Sequence, residues 1–456
     1  MIAFLLASGF RLSFGTQSFA IGGVNYTLVN DYSALYWNPS LLSDQRNSFG
    51  FDLLTIAPIT KYQLNTNLLG YDGGYPRLQD NTAYSESPPF LIPSFGFVRY
   101  GESFTWGFAA FAPFGMGTRW DLYDFPLNYY NAYDTTWEEP SYPKYDWESD
   151  FKSLALWVGF GKEVGPFRLG LSGGPVLMSI LVRKVTLLDP ATVNPDAASA
   201  PIEYRLWPID TKLKGYGVSL GMSAGLTAYL GEIFTFALTG RYYTPTNLYG
   251  NVKLQLFTPR NDYIVEHRPE LSTLFSGYIF QGSGEGTTRL PLPPDIGVGI
   301  SIRPTKIFTL SFGFNYVFWG VLKDVVMEFD DLTLLYQQVK ADTLHFNWHN
   351  VFEVGIGTKL DLTDWLSFRF GFAYDQSPIP DSTFNPLIPD VGNRIGFSGG
   401  FSWSVGDFWT YNFAYTYTRT PEREISNEGY VYSDPYMPGK YSFQGHLFNV
   451  GVIYRW

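Results

Sequence analysis

The sequence has no cysteine and little charge, and both shortages narrow the classes of protein it can represent. Without cysteine there can be neither a disulfide framework nor a thiolate metal site. Charged residues make up 16% of the 456 residues, below the about 25% that is usual in soluble domains. The net charge of −11 argues against binding nucleic acid. No run of about 18 apolar residues occurs, which excludes a membrane-spanning helix.

Motifs for catalysis and cofactor binding are also missing. The sequence contains no nucleophile elbow, phosphate-binding loop or paired catalytic carboxylates, so we expect neither an enzyme nor a bound cofactor. His345, His349 and Glu353 are spaced at even intervals on one predicted strand. Residues four apart on a strand stand about 13 Å apart, which is too far for shared metal coordination. We therefore expect no metal site, and we interpret these side chains as solvated residues of the interior.

Aromatic residues, glycine and regular alternation are what the sequence has in quantity. Aromatic residues account for 19% of the chain, and there are 46 glycines. In residues 365–375, Phe370 and Phe372 point one way, whereas Arg369 and Gly371 point the other. A small polar face would make a poor exterior for a soluble sandwich, but a small polar interior behind an aromatic-rich outer wall is typical of transmembrane barrels. The pattern therefore favours a barrel, with a soluble all-β domain as the alternative.

Strands of this kind recur along the chain, with short and long connections between them. The fourteen predicted strands begin near Ser48, Leu91, Phe104, Ser149, Phe167, Lys212, Phe234, Thr288, Phe308, Thr343, Trp365, Asn393, Phe408 and Ser442. Outer-membrane barrels combine short periplasmic turns with long external loops, and an even strand count leaves both ends periplasmic. The fold prediction is an all-β, 14-stranded antiparallel transmembrane β-barrel over residues 48–456, in the outer membrane of a Gram-negative bacterium.

Both ends of the sequence resemble targeting signals. Residues 1–8 are similar to the end of a secretory signal, and we expect them to be its remnant, with an ordinary amino terminus as the alternative. At the other end, Phe448, Val450, Tyr454 and Trp456 follow the strand alternation to an aromatic last residue. This resembles the signal by which barrels are recognised for assembly. We therefore expect the barrel assembly machinery and outer-membrane lipid as partners.

Residues 9–47 precede the first strand and show neither its alternation nor a helical stripe. Leu35 and Trp37 are too apolar for a solvated tail, and Asn38-Pro39 marks a sharp break in the chain. We expect a compact plug inside the barrel, called the hatch below, in which Asp31 needs an internal hydrogen-bond partner. Four segments resemble the amino-terminal hatch of the FadL family, namely Ser8-Gly9-Phe10, Gly22-Gly23, Asn30-Asp31-Tyr32-Ser33-Ala34 and Trp37-Asn38-Pro39-Ser40.

Members of the FadL family are outer-membrane transporters for long-chain fatty acids and other hydrophobic compounds. The resemblance implies that Phe10, Asp31, Asn38 and Pro39 belong to a hatch that acts as a gate. It covers nearly the whole chain and is weakest in the long loops. The resemblance also implies passive uptake of a hydrophobic small molecule; a structural or adhesive barrel is the competing class, and an outer-membrane enzyme lacks a motif here.

The segment Ala112-Pro113-Phe114-Gly115 resembles the family's break in the third strand, where a kink opens a lateral hole in the wall. Proline cannot donate a ladder hydrogen bond, and glycine tolerates unusual dihedral angles, so an interruption at Pro113, Phe114 and Gly115 is expected on physical grounds as well. A β-bulge that merely bends the wall is the alternative.

Two charged sets complete the candidate residues. Asp375 and Arg394 fall on lumen faces on either side of one loop, and we expect them to form a structural ion pair. Arg183 and Lys184 lie near the external end of the fifth strand. Either of them could meet the carboxylate of a ligand, whereas an ordinary rim charge is the alternative.

Overall fold

Strands dominate the protein, and its helices are short. The structure is a computed structural model that describes residues 9–64, 82–122, 143–188, 191, 194–199, 207–258, 260–334, 337–388, 390–426 and 438–456. The predicted signal remnant, residues 1–8, lies outside these described residues.

Within the described residues, fourteen antiparallel strands form one closed sheet. In chain order they are β1 (Ser48–Leu64), β2 (Thr82–Tyr84 and Phe90–Arg99), β3 (Thr105–Phe111 and Gly115–Trp120), β4 (Trp147–Val164), β5 (Phe167–Leu188), β6 (Trp207–Leu230), β7 (Phe234–Tyr243 and Thr246–Phe257), β8 (Ile279–Leu290 and Asp295–Ile302), β9 (Phe308–Val317 and Asp324–Asp330), β10 (Ala341–His345 and Val351–Thr363), β11 (Leu366–Asp375), β12 (Arg394–Val405), β13 (Trp409–Arg419 and Arg423–Ile425) and β14 (Gly439–Arg455).

Pairing of the last strand with the first closes the barrel. The β14 ladder runs along the whole of β1, from the pair of Ser48 with Arg455 to the pair of Leu64 with Gly439. A closed sheet has no free edge, which is what a sheet needs in order to satisfy its backbone within a membrane. The predicted 14-stranded antiparallel barrel is confirmed.

Alternation along the strands separates an apolar outer face from the lumen. In β11, Phe370 is 52% exposed, whereas the neighbouring Arg369 is only 4% exposed. A side chain exposed on the outside of a barrel contacts lipid, which favours phenylalanine, whereas the polar lumen favours arginine. Phe370 therefore faces outward, as the alternation predicts.

The start of β8 differs most from the sequence prediction. The strand begins at Ile279 and not near Thr288, and residues 291–294 divide it. Residues 279–290 have glycine at positions 282, 284 and 286, where an alternating strand would have apolar side chains. Without that alternation, the segment gave no strand signal.

The interpretation of His345, His349 and Glu353 as residues of one strand face was wrong. β10 is interrupted over residues 346–350, so His345 belongs to a different segment from Glu353. His345 is exposed and forms a hydrogen bond with Asp324 (2.7 Å). Glu353 is buried and not solvated.

The helices of the described chain are all brief. They are α1 (Thr16–Phe19), α2 (Ala34–Trp37), α3 (Asp262–His267) and the 3₁₀ helices Pro39–Asp44, Pro195–Ser199, Pro269–Phe275, Trp319–Val321 and Asp381–Thr383. None of these described helices has the length and apolarity that a membrane crossing requires.

The hatch lies inside the barrel and contacts strands on opposite sides of it. Nearly every residue from 9 to 42 is buried. Inward glycines allow its backbone to lie directly on the wall: a Cβ atom at Gly170 of β5 would stand 2.2 Å from the Pro39 carbonyl carbon, and one at Gly371 of β11 would stand 2.2 Å from that of Ile21. Only glycine permits so close an approach of two backbones. The hatch thus spans the lumen from wall to wall.

Candidate functional site

The wall is interrupted at the third strand. The ladder between β2 and β3 ends at the pair of Phe95 with Ala110. The next backbone hydrogen bond between these strands runs from the Glu86 amide to the Arg119 carbonyl (2.9 Å). On the β4 side, pairing continues with one extra residue in β3, as in a β-bulge. The sheet therefore loses its pairing on one side of β3, over residues 111–118.

The hatch tip, residues 9–12, lies directly behind this interruption. The Gly115 amide donates a hydrogen bond to the Phe10 carbonyl (2.8 Å), and the Leu12 amide donates one to the Pro113 carbonyl (2.9 Å). Together they form an isolated antiparallel bridge. Backbone groups at membrane depth need partners from protein or water, and here the hatch supplies them.

Aromatic rings surround the hatch tip. The Phe10 ring lies 5.9 Å from the Phe114 ring of the break, 4.7 Å from that of Trp319 and 5.7 Å from that of Trp348, measured between centroids. The Trp348 ring in turn lies 5.7 Å from that of Phe346. Contacts of this kind stabilise a cluster and keep water out. The rings form a continuous apolar path between Phe346 and the break.

An apolar cavity of about 90 Å³ lies at the other end of that path. Phe346 belongs both to its lining and to the ring cluster around the tip. The side chains that line the cavity come from β5 to β10 and include Ile180, Val182, Leu213, Leu248, Leu290, Val325, Met327, Phe329 and Leu344. A lining of this composition favours hydrocarbon over a charged group.

A buried group of charges ties the hatch tip to the wall opposite the break. The Arg11 guanidinium contacts the Glu353 carboxylate of β10 (3.2 Å) and the Asp295 carboxylate of β8 (3.4 Å). Arg241 of β7 forms a second ion pair with Asp295 (2.7 Å), and the Asn315 amide donates to Glu353 (2.8 Å). The four charged side chains are at most 4% exposed. Two cations and two carboxylates balance within this network.

The network also contacts the second helix of the hatch. The Arg241 guanidinium carbon lies 4.0 Å from the centroid of the Tyr36 ring, and Arg241 donates to the Tyr36 carbonyl (3.1 Å). A cation over an aromatic face is stabilised further when both are desolvated. Arg241 therefore links two barrel strands and α2 at a single point.

The hatch root, residues 38–44, is fixed by hydrogen bonds of a different kind. The Asn38 side-chain amide donates to the Tyr26 carbonyl and to the Thr227 hydroxyl of β6, both at 2.8 Å. Its oxygen accepts from the Ser40 hydroxyl (2.7 Å) and from the Ser40 amide (3.2 Å), and the hydrogen bond from the amide caps the following 3₁₀ helix. Pro39 occupies the first position of that helix, where its missing amide hydrogen costs nothing.

Asp31 lies within the hatch and braces its fold. Its carboxylate accepts a hydrogen bond from the Ser33 amide (2.8 Å) at the start of α2, and the Gln45 side chain donates to its carbonyl (2.9 Å). Both contacts are internal to the hatch, and they join the turn before α2 to the segment that follows the 3₁₀ helix.

Asp375 and Arg394 form a buried ion pair across β11 and β12. In the loop between those strands, the Asp390 carboxylate accepts a hydrogen bond from the Gly9 amide (2.8 Å). Burial raises the pKa of Asp390 above its ordinary value, whereas the Arg394 charge opposes that shift. The loop therefore adds another contact to the hatch tip.

Arg183 and Lys184 point to opposite faces of β5 because they are adjacent on a strand. Arg183 lies 3.2 Å from the Asp210 carboxylate, and Lys184 lies 3.6 Å from the Asp342 carboxylate of β10. Each therefore already has an acidic neighbour. Lys184 is on the same face as Val182, which lines the apolar cavity.

Sequence reasoning did not single out Arg11, Asp295 or Arg241. These residues are far apart in the chain, and each stands alone as a charge in an apolar or small-residue segment. The sequence did contain a signal for these residues: each is an isolated charge on the inward face of a segment that otherwise has small or apolar residues there. Among the residues that the structure describes, no group of three or more His, Asp or Glu side chains could hold a metal ion.

The closed barrel, its lipid-facing wall and the buried amino-terminal segment define the class: an outer-membrane β-barrel protein. The family described as "Outer membrane protein transport protein (OMPP1/FadL/TodX)" matches residues 195–456, which is more than half of the chain. The chain belongs to this family, and the resemblance read from its motifs is confirmed.

Known relatives agree with that assignment. The 47 kDa outer membrane protein of Pasteurella multocida (strain Pm70) is 23% identical over 170 residues, covering 37% of this chain and 36% of that one. The chain spans about a third of the length of the curated relatives it matches.

Solved structures extend the likeness to the whole fold. A Pseudomonas aeruginosa FadL homologue is 16% identical with a TM-score of 0.74, covering 98% of this chain and 100% of that chain. The P. putida toluene transporter TodX is 17% identical with a TM-score of 0.67, covering 97% and 98%. At such low identity the likeness establishes the fold.

Proposed function

We propose that the protein passes hydrophobic small molecules, such as long-chain fatty acids or similar lipids and hydrocarbons, inward across the outer membrane without consuming energy. The observation that carries this proposal is the position of the hatch tip. Two backbone hydrogen bonds join it to the interrupted third strand, and the aromatic path to the apolar cavity begins at its Phe10 ring.

The route follows from the order of these parts. A molecule taken up at the external loops enters the apolar cavity and moves along the rings of Phe346, Trp348 and Phe10. It then meets the break in β3, where Leu12 clusters with Phe90 and Ile92 of β2. A hydrophobic molecule leaves sideways there and enters the bilayer, so it avoids the aqueous periplasm.

Movement of the hatch tip would open this exit. Two backbone hydrogen bonds, the Arg11 ion pairs and the packing of the Phe10 and Leu12 side chains hold the tip at the break, and water can replace the polar contacts among them. Phe10 and Asp31 act in this gate by different means: Phe10 closes the path, and Asp31 keeps the hatch folded. Asn38 and Pro39 anchor the root while the tip moves.

Related proteins support the substrate class. Structures with this fold include a toluene transporter and a monoaromatic hydrocarbon channel, and the family itself is described as one of transport proteins. The apolar cavity selects for the hydrocarbon portion of a ligand. Lys184 beside it is the residue that could meet a carboxylate, in exchange for Asp342.

The test is to fill the break. Gly115→Trp adds a bulky ring to the residue of the break whose amide bonds to the Phe10 carbonyl, and we expect it to reduce uptake of a labelled fatty acid or toluene by cells with normal surface expression. Gly399→Trp is the matched control, because Gly399 pairs with the lipid-facing Phe370 and is away from the break. Undiminished uptake by the Gly115→Trp variant would show that the ligand travels another way.

A further inference from the structure

We propose that the outer face of the barrel carries a binding site for the head group of a phosphorylated glycolipid of the outer leaflet. Lys212 and Lys214 of β6 and Lys253 of β7 form its basic side, and Glu285, Asp330 and Asp331 form its acidic side. The site lies outside the lumen and does not depend on the transport route.

Cations stand side by side at this place on three neighbouring strands. Arg183 pairs directly with Lys212, and Lys212 pairs directly with Lys253, in the registers of β5 with β6 and of β6 with β7. Like charges directly opposite each other destabilise a sheet. Arg183 has the Asp210 carboxylate at 3.2 Å, but within the described part of the chain no carboxylate forms an ion pair with Lys212 or Lys253. The Asp210 and Glu148 carboxylates act on Lys212 from beyond ion-pair distance, and an external anion would supply the direct partner that Lys212 and Lys253 lack.

The height of the row on the wall fits a lipid head group. Tyr216 and Tyr249 pair across β6 and β7 and are 66% and 60% exposed. Outward aromatic residues of this kind mark the interface between hydrocarbon and head groups. Lys214 and Lys212 lie two and four residues beyond Tyr216, or about 7 and 13 Å along the strand, toward the end with the long connections. The ammonium groups are therefore at the level of the outer-leaflet head groups.

The chemistry of the recess selects for a phosphorylated sugar. Its volume is about 590 Å³, and Asn251 and Ser283 line it together with the charged residues. Phosphate oxygens accept hydrogen bonds from ammonium groups, whereas the carboxylates of Glu285 and Asp330 can only accept them, and sugar hydroxyls would donate. An ionised fatty acid has no hydrogen-bond donor for the carboxylates of the acidic side, so it would satisfy only the basic side of the recess.

The test compares lipids that differ only in phosphate. The full-length barrel in a neutral detergent is titrated with diphosphorylated lipid A and with the dephosphorylated lipid, and binding is followed by native mass spectrometry. We expect the Lys212→Gln/Lys253→Gln variant to bind the phosphorylated lipid about 30-fold more weakly than the wild type, since each cation near an anionic surface contributes about fivefold. The dephosphorylated lipid should bind weakly and equally to both.

Two further variants separate charge from folding. Lys212→Arg/Lys253→Arg keeps the charges and should retain binding, and Lys162→Gln/Lys306→Gln removes two exposed cations at the short-turn end and should also bind as the wild type does. Heat-modifiable migration on gels verifies that each variant is folded. Equal binding by the wild type and the Lys212→Gln/Lys253→Gln variant would overturn the proposal. Displacement of the lipid by equimolar dodecanoate or inorganic phosphate would overturn it as well, because the ligand would then be a fatty acid or a free anion.

Discussion

The two ends of the hatch are held to the barrel by different forces. At the root, Asn38 donates hydrogen bonds to a wall residue and to the hatch backbone, and Pro39 lies against Gly170 with no room between the backbones. At the tip, two backbone hydrogen bonds join an interrupted strand, and Arg11 reaches buried carboxylates. At the root the hatch backbone is fitted directly against glycine, whereas at the tip the contacts to the barrel are the Phe10 ring cluster and these polar groups.

This difference indicates which end can move. Backbone packed on glycine has no alternative arrangement, because any displacement opens a void on both surfaces. Hydrogen bonds and ion pairs can instead be exchanged for water once the tip withdraws. We therefore expect a fixed root and a movable tip, and the substitutions below test that contrast.

The largest loss of stability is expected for Arg241→Met, in the wall itself. The substitution removes the nearest cation from the buried Asp295 carboxylate. Asp295 cannot move to a new partner, because the ladder between β7 and β8 fixes its position. Removing one partner of a sealed ion pair costs about 3–5 kcal/mol. Urea unfolding of the barrel in lipid vesicles measures this free energy. A loss below about 1 kcal/mol, the size of an exposed pair, would contradict the burial argument.

Gly170→Leu should have the next largest effect, because it acts at the root. The new side chain would occupy the position of the Pro39 backbone, and overpacking of this kind costs about 3 kcal/mol or less. Gly240→Leu is the matched control, since the nearest atom to a Cβ there is 3.9 Å away. The same unfolding measurement should separate the two variants. Equal stability of both would mean that the root is not tightly fitted.

Arg11→Met should cost the least stability of the three, although Arg11 belongs to the same network as Arg241. The tip can withdraw and admit water to the Glu353 carboxylate, so the loss should fall well below the about 3–5 kcal/mol of a sealed pair. Conductance in planar bilayers should rise above that of Arg241→Met. If Arg11→Met destabilised the barrel as much as Arg241→Met and left conductance unchanged, the tip would be as fixed as the wall.

The barrel was predictable from the sequence because its strands obey a local rule. Alternation such as that around Phe370 depends only on neighbouring residues, and it located most of the strands. It did not locate the start of β8, where Gly282, Gly284 and Gly286 take the place of apolar residues.

The hatch contacts were less predictable because they join distant parts of the chain. Arg11 and Glu353 are separated by 342 residues, and no local pattern connects them. Inward glycines such as Gly170 and Gly371 can be recognised in the sequence as small residues of the lumen face. The structure explains why they are glycines, because the hatch backbone packs directly against them. Glycines on the inward face of a strand can thus indicate where another segment of backbone packs against it.

The absence of cysteine allows the contrast between the two ends to be tested with single disulfides. Arg11 and Phe114 form a non-hydrogen-bonded antiparallel pair, whose Cα atoms stand about 4.5 Å apart, within the range a disulfide accepts. Arg11→Cys/Phe114→Cys therefore tethers the tip to the break. Ser40→Cys/Thr227→Cys tethers the root, because those hydroxyl oxygens lie 2.8 Å apart.

The most direct measurement is uptake of a labelled hydrophobic compound by cells that express each tethered variant, before and after reduction. Oxidation of the tip tether should stop uptake and reduction should restore it, whereas oxidation of the root tether should leave uptake unchanged. Undiminished uptake through an oxidised tip tether would contradict the account, because the ligand would then cross without any movement of the tip.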